Sequence, residues 1–117
     1  MNIIVLARKK WIESINTKNI YNIMECYNIK HIFKGTMNHK VTDRKNDTRR
    51  YFEKFLKNNP KVIFTRSDIT QMNDTYIDYG TYSFQTKNDG FISANYQFIY
   101  KIVDDKPKII SHFSSKI

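Results

Sequence analysis

Apolar residues recur at two different periods along the chain, and the change between them falls at Pro60. Before Pro60 the spacing is that of amphipathic helices, and four apolar residues predict the first one over residues 3–15. These residues are Ile4, Ala7, Trp11 and Ile15. After Pro60 apolar and polar residues alternate, as they do in half-buried strands. The pattern therefore predicts helices in the first half of the chain and a sheet in the second.

A second helix is expected after the break at residues 16–19, with Thr17 or Asn19 as its N-cap. Its apolar positions follow the i, i+3, i+4, i+7 rule: Ile20, Ile23, Met24 and Tyr27. A short extended piece over residues 31–33 should stop at Gly35, and residues 34–43 are predicted to form a loop.

The third helix is predicted to begin near Thr42 or Asp43 and to end at about Lys57. Pro60 excludes a longer helix, because proline has no amide hydrogen and its predecessor avoids the helical region. Aromatic and aliphatic residues share one side of this helix, and basic residues occupy the remainder. We interpret that basic side as a solvated face.

Strands are predicted over residues 61–72, 75–86 and 91–103 and in a final run after Pro107. Asn88-Asp89-Gly90 is a hairpin signal, because Asp-Gly tolerates positive φ, and residues 104–107 form another turn. The order of elements predicts an α+β fold, with three N-terminal helices on one face of a mostly antiparallel sheet. We expect a single domain over residues 1–117.

The strand over residues 91–102 has one apolar row and one mixed row. The apolar row is Ile92, Ala94, Tyr96, Phe98, Tyr100 and Ile102, and the mixed row is Phe91, Ser93, Asn95, Gln97, Ile99 and Lys101. In one arrangement the apolar row packs under the helices. In the other the mixed row lines a polar cavity there, and another subunit covers the apolar row. The neighbouring strand has aromatic residues on both faces, which favours an oligomer built sheet against sheet.

The chain has 117 residues, of which 40% are hydrophobic and 15% aromatic, enough for one core without disulfides. Its net charge of +9 would attract nucleic acid, anionic lipid or an acidic partner. However, the abundance of Asn, Ile, Lys and Tyr is typical of AT-rich coding sequence, so nucleic-acid binding is kept as an alternative rather than the leading hypothesis.

Three features of the sequence bear on the compartment of the protein and on its association with membranes. Cys26 is the sole cysteine, so a disulfide within the chain is excluded. The first ten residues do not resemble a signal peptide, because their short apolar run precedes the positive charges. No stretch approaches the roughly 20 apolar residues of a membrane span. We therefore expect a cytoplasmic protein without membrane association.

Four stretches in the same order carry a family resemblance. They are "NTKNIYNIMECY" after the Trp11 helix, "TRRYFEKFLKNNP", "DYGTYSF" and "ANYQFIYKIVDDKPKIISHFSS". Over residues 8–115 the chain resembles the cone-shaped superfamily typified by nuclear transport factor 2 (NTF2). Within it the chain is similar to the association domain of calcium/calmodulin-dependent protein kinase II and its free-standing SnoaL-like relatives. The resemblance implies a curved sheet around a long helix, a pocket at the wide end, and dimers or rings formed through the sheet.

Residues of the family's pocket are retained in part. Arg49 matches a pocket arginine on the third helix, and His112, Ser114 and Ser115 match the final strand. The family's strand arginine is Asn95 here, its second terminal histidine is Phe113, and its tryptophan is Pro107 or Lys108. A pocket that loses an arginine loses a bidentate anion partner, so a neutral polar ligand is as strongly favoured as a carboxylate.

The leading hypothesis is therefore a non-enzymatic oligomerisation domain with a small polar or anionic ligand and no cofactor. Its predicted pocket residues are Arg49, Tyr82, Asn95 and His112. The alternative is an isomerase- or cyclase-type enzyme that uses Asp78 or His112 as general base, since a buried carboxylate is suited to proton abstraction. Against this, Asp78 is more readily explained by a sheet edge or a lysine partner.

Two further chemistries have little support in the sequence. A serine hydrolase is disfavoured because His112 and Ser114 would lie side by side on one strand and no Gly-x-Ser-x-Gly motif exists. A metal site is not expected, since Cys26, His31 and His39 lack the short paired spacing of zinc ligands.

Overall fold

The computed structural model describes residues 2–117, which form three helices and five strands. The helices are α1 (Asn2–Asn16), α2 (Ile20–Glu25) and α3 (Lys45–Leu56). The strands are β1 (Tyr27–Lys34), β2 (Lys61–Met72), β3 (Thr75–Thr86), β4 (Gly90–Val103) and β5 (Lys106–Lys116). The predicted change from helices to strands at Pro60 is confirmed.

The strands form one sheet in the order β1-β5-β4-β3-β2. Strands β2 to β5 pair antiparallel through hairpins, whereas β1 pairs parallel with β5. The sheet is curved and unclosed, and the helices pack on one of its faces. This confirms the α+β, cone-like architecture with three N-terminal helices and a mostly antiparallel sheet. Within residues 2–117, no helix is both long enough and apolar enough to cross a membrane.

The second helix is shorter than predicted and the first strand is longer. Asn19 caps α2, because its side chain accepts a hydrogen bond from the Asn22 amide. The helix ends at Glu25, and Tyr27 begins β1 instead of extending the helical apolar stripe. The strand covers residues 27–34 rather than 31–33 because it finds hydrogen-bonding partners on β5, far away in the chain.

The third helix begins at Lys45, a little later than predicted. Thr42 is held extended by a two-way backbone bridge with Phe33, in which each N···O distance is 2.8 Å. A residue fixed in this bridge cannot enter a helix, so Thr42 lies outside α3, and the helix begins shortly after the predicted start near Thr42 or Asp43.

The two rows of β4 face different environments. Five members of its apolar row, from Ile92 to Tyr100, are at most 4% exposed, and the four from Ala94 to Tyr100 share the core beneath the helices with Trp11 and Ile15 of α1. Asn95 and Gln97 are exposed on the outer face of the sheet. The first of the two predicted arrangements is therefore confirmed, and a polar cavity lined by the mixed row is excluded.

Gly80 lies next to an irregularity in the pairing at the edge of the sheet. The pairing of β2 with β3 shifts register between Phe64 and Arg66, opposite this glycine. A Cβ atom at Gly80 would lie 2.0 Å from the Arg66 carbonyl oxygen. The backbone can approach this closely only where no side chain is present.

Candidate functional site

The structure brings together two of the four predicted pocket residues. Tyr82 and His112 are 1% and 2% exposed, and the Tyr82 hydroxyl lies 3.1 Å from His112 Nε2. Arg49 points away on α3, where its Nε is 3.8 Å from a Glu53 carboxylate oxygen. Its guanidinium lies 6.0 Å from the centre of the Tyr21 ring.

Asn95 lies on the other side of the sheet from His112. It occupies the exposed row of β4, whereas the residues on either side of it, Ala94 and Tyr96, point toward the helices. Side chains alternate strictly between the faces of a strand, so Asn95 cannot enter a cavity beside His112 in the same chain. The prediction of one pocket lined by Arg49, Tyr82, Asn95 and His112 is therefore wrong, because Asn95 faces away from His112.

His112 belongs to a chain of buried hydrogen bonds. Trp11 Nε1 lies 3.2 Å from the Tyr27 hydroxyl, which lies 2.7 Å from His112 Nδ1. An indole N–H can only donate, so Tyr27 accepts from Trp11 and gives its own hydrogen to Nδ1. His112 then carries its hydrogen on Nε2 and donates to Tyr82. Both ring nitrogens are occupied by tyrosines, and the imidazole is uncharged.

Burial keeps this histidine neutral. Removal from water lowers the pKa of His112 from its ordinary 6.5 to about 3, and the nearby His31 acts in the same direction. Protonation of the ring would also place a hydrogen on Nδ1. The Tyr27 hydroxyl would then lose the acceptor for its own hydrogen. The environment thus opposes general-base chemistry near neutral pH, which needs a pKa close to the working pH.

The space beside Tyr82 and His112 is almost filled by rings. A cavity of about 10 Å³ lies there, bordered by Trp11, Phe52 and Tyr51 among others. The Trp11 and Tyr82 rings stack at 5.9 Å with 4° between their planes. One water needs roughly 10–15 Å³, so this cavity has no room for an organic ligand. The sequence-based hypothesis of a polar ligand beside His112 is therefore not supported.

Ser114 shares the inner face with His112 but does not contact it. Its hydroxyl bonds instead to the Thr36 hydroxyl, and both side chains are buried. The Ser114 hydroxyl is thus bonded to another hydroxyl and not to the histidine that would activate a serine nucleophile.

Asp78 forms a buried ion pair with Arg8 of α1. The Arg8 Nε and an Arg8 terminal nitrogen lie 2.7 and 2.9 Å from the two Asp78 oxygens. Tyr96 donates a third bond at 2.8 Å. Asp78 is fully buried, and both of its oxygens are occupied. The carboxylate joins the first helix to the sheet, a structural role of the kind favoured from the sequence, although its partner is an arginine rather than a lysine.

The sequence contains a signal for this pair. Arg8 follows Ile4 by four positions and precedes Trp11 by three, so it lies on the apolar stripe of α1. A cation on such a stripe needs a buried anion, and Asp78 is the carboxylate within an apolar strand. Among residues 2–117, no three His, Cys, Asp or Glu side chains are grouped as a metal site would require.

The fold and this aromatic, hydrogen-bonded interior define an NTF2-like protein. An NTF2-like protein of unknown function from Shewanella oneidensis has a TM-score of 0.82 and 19% identity, with 97% of each chain covered. A protein from Streptomyces avermitilis, provisionally described as an NTF2-like dehydratase, has a TM-score of 0.85 and 11% identity, with coverages of 99% and 94%. At such identities these similarities establish the fold alone.

The family assignment is more specific than the assignment of the fold. The model of the calcium/calmodulin-dependent protein kinase II association domain matches residues 2–117, and the chain belongs to this family. A solved protein from Xanthomonas campestris, provisionally described as such a domain, has a TM-score of 0.90 and 24% identity. The similarity covers 97% of this chain and 85% of the Xanthomonas campestris chain. No curated protein sequence matches the chain.

Proposed function

We propose that this protein is a non-enzymatic self-association domain whose copies pair through the outer face of the sheet. The family to which it belongs is named for association, and the outer face carries apolar side chains that the chain itself does not cover. The face therefore has the character of an interface.

The apolar residues of this face are adjacent across four strands. Ile77 pairs with Ile99, Ile99 with Ser111, and Ser111 with Ile32. In the next row Tyr79 pairs with Gln97, and Gln97 with Phe113. We call the apolar members of these two rows the outer patch: Ile32, Ile77, Tyr79, Ile99 and Phe113.

Exposure of the outer patch is the observation that carries the proposal. Tyr79 and Ile32 are each 42% exposed, and Phe113 is 36% exposed. Asn95 and Ser115, which pair with each other, border the patch with polar groups. An apolar centre with a polar rim is the usual arrangement of a protein interface. In a twofold dimer the same patch would cover itself.

The buried site supports a structural rather than a catalytic role. His112 is neutral and bonded at both nitrogens, and Asp78 is neutralised by Arg8. Neither group is placed to take a proton from a substrate. The aromatic interior instead gives the sheet a rigid support for its outer face.

The direct test is the mass of the protein in solution. We expect sedimentation equilibrium to give at least twice the 14.1 kDa of one chain. Phe113→Arg places a charge in the centre of the patch, and Ile99→Arg does the same one row away. Both variants should sediment as folded single chains, because charges are excluded from apolar interface centres.

Tyr21→Arg is the matched control. Tyr21 is 72% exposed and lies on α2, on the helical side of the sheet. This variant should associate like the parent protein. A parent chain that sediments at 14.1 kDa at high concentration, or a Phe113→Arg variant that still associates, would contradict the proposal.

A further inference from the structure

A second cavity has a lining that does not include His112. It is a groove of about 280 Å³ between the first half of α1 and the β4–β5 turn. Leu6, Ala7 and Pro107 form apolar walls, and Cys26 and Tyr100 contribute to the interior. We call it the side groove. Its volume is near the lower end of the roughly 300–1,000 Å³ typical of small-molecule sites.

Tyr100, which lines this groove, carries an unsatisfied polar group. The residue is 1% exposed, and its hydroxyl has no hydrogen-bonding partner in the protein. It is the single buried side-chain atom of this kind among the described residues. A buried hydroxyl without a partner is costly, so an unpaired group of this kind calls for an explanation. A ligand oxygen that enters the side groove would supply the missing acceptor.

The rim of the side groove is positively charged. Lys10, Lys106 and Lys108 line it, with Glu25 as the acidic member. Lys10 donates to the Glu25 carboxylate at 3.2 Å, and Lys108 donates to the Glu25 carbonyl oxygen. The pKa of Glu25 is lowered, first by the Lys10 hydrogen bond and then by the charges of Lys108 and Lys106. Three cations against one anion favour a negatively charged occupant.

Cys26 contributes apolar surface rather than reactivity. Burial raises the pKa of its thiol to about 11, so the sulfur stays protonated near neutral pH. Its thiol also donates to the Asn22 carbonyl oxygen at 3.3 Å. The groove thus offers apolar walls, one hydroxyl donor and a cationic rim, and it holds no nucleophile suited to covalent chemistry.

We propose that the side groove binds an aliphatic carboxylate, a single apolar chain that ends in one negative charge. The apolar chain packs against Leu6, Ala7 and Pro107. The carboxylate accepts the hydrogen of the Tyr100 hydroxyl and lies in the positive field of Lys106 and Lys108. This occupant meets all three properties of the groove, and it does not need the filled cavity beside His112.

Calorimetric titration with sodium octanoate, below its micelle concentration, tests the proposal. Octanol has the same chain without the charge, and octylammonium carries the opposite charge. We expect octanoate to bind with 1:1 stoichiometry, octanol to bind more weakly, and octylammonium not to bind. In an amide NMR titration, octanoate should shift the signals of residues at the groove, such as Leu6, Cys26 and Lys108.

Two variants connect binding to the named groups. Tyr100→Phe removes only the hydroxyl and should weaken octanoate binding about tenfold, because hydrogen bonds to a charged group are the strong ones. Lys106→Glu should weaken it about fivefold, as an exposed charge at a rim does. Lys87→Glu makes the same charge change at the β3–β4 turn, at the opposite end of β4, and should bind like the parent protein.

Folding is checked separately by thermal unfolding. Tyr100→Phe should unfold at the parent temperature or above it, since its hydroxyl makes no bond that could be lost. The proposal is overturned if octanoate does not bind, or if octylammonium binds as tightly as octanoate. Equal weakening by Lys106→Glu and Lys87→Glu, or unchanged affinity in Tyr100→Phe, would also overturn it.

Discussion

At the scale of single residues, His112 is the side chain whose protonation state matters most. Tyr27 and Tyr82 hold the neutral ring from both sides, and the ring is fully packed among aromatics. In the unfolded chain the same histidine takes up a proton near pH 6.5, whereas in the folded chain it does so near pH 3. The folded state is therefore at a disadvantage in mild acid.

We expect the free energy of unfolding to fall as the pH is lowered from 6.5 toward 3. His112 alone should contribute about 1.4 kcal/mol per pH unit in that window, because the unfolded state holds one more proton. His31, whose pKa burial also lowers, adds in the same direction. Urea unfolding at pH 6, 5 and 4 measures the slope, and His112→Gln should reduce it.

His39→Gln is the control for this measurement. His39 is an exposed histidine outside the buried network of His112, and its variant is expected to keep the slope of the parent protein. Equal slopes in the parent protein and in His112→Gln would show that the buried histidine is not the acid-sensitive group.

At the scale of the elements, α1 is joined to β3 by one ion pair in addition to the aromatic contacts of Trp11. Arg8 reaches across the core edge to Asp78, and its guanidinium also lies 5.6 Å from the centre of the Phe64 ring. The Asp78 side chain is fully buried, whereas that of Arg8 is 14% exposed. Removal of the arginine would leave an uncompensated carboxylate inside the protein.

We expect Arg8→Met to lower the free energy of unfolding by about 3–5 kcal/mol, the cost of an unpaired buried charge. The double variant Arg8→Met/Asp78→Asn should be less destabilised than Arg8→Met alone, because the asparagine is uncharged and still accepts from Tyr96. Chemical denaturation of the parent protein, both single variants and the double variant gives the coupling. Additive losses would mean that the two side chains act independently.

The elements also show what local sequence can predict. Strands β2 to β5 lie close to their expected bounds, because alternation and hairpin turns such as Asn88-Asp89-Gly90 are local signals. Most of β1 was missed, because it is stabilised by β5, which lies about 80 residues further on. The start of α3 was predicted too early for the same reason, because the Thr42–Phe33 bridge is also a contact that local sequence does not reveal. Contacts between distant segments leave little trace in a short window of sequence.

The candidate site was predictable to the extent that it depended on strand parity. Tyr82 and His112 both lie on inner rows, and the structure brings them into contact. Asn95 was assigned by resemblance, and strand parity alone left open whether its mixed row faces the helices or the outside, where the structure places it. How tightly aromatic rings fill the interior depends on three-dimensional packing, which the sequence pattern does not encode.

At the scale of the whole molecule, charge and association act against each other. Each chain carries a net charge of +9, so two chains repel when they approach through any face. Salt screens this repulsion, with a Debye length of about 10 Å at 0.1 M, while it leaves the apolar contact of the outer patch intact.

We therefore expect self-association to become tighter when the salt concentration is raised. Sedimentation velocity at low and at high sodium chloride measures the change in dissociation constant. Nucleic-acid binding, the alternative prediction, would depend on salt in the opposite way, because binding to phosphates weakens steeply as the salt concentration is raised. Dissociation of the dimer on addition of salt would argue that ion pairs, rather than the outer patch, hold it together.

The position of β5 between β1 and β4 has a consequence for biosynthesis. As the ribosome releases the chain, β1 emerges more than 70 residues before the strand that it must join. Until then the Tyr27 and Phe33 side chains are not covered by the sheet, and chaperones can bind the exposed aromatic surface. The sheet is complete only when β5 inserts between β1 and β4, so we expect nascent chains that stop before β5 to be degraded.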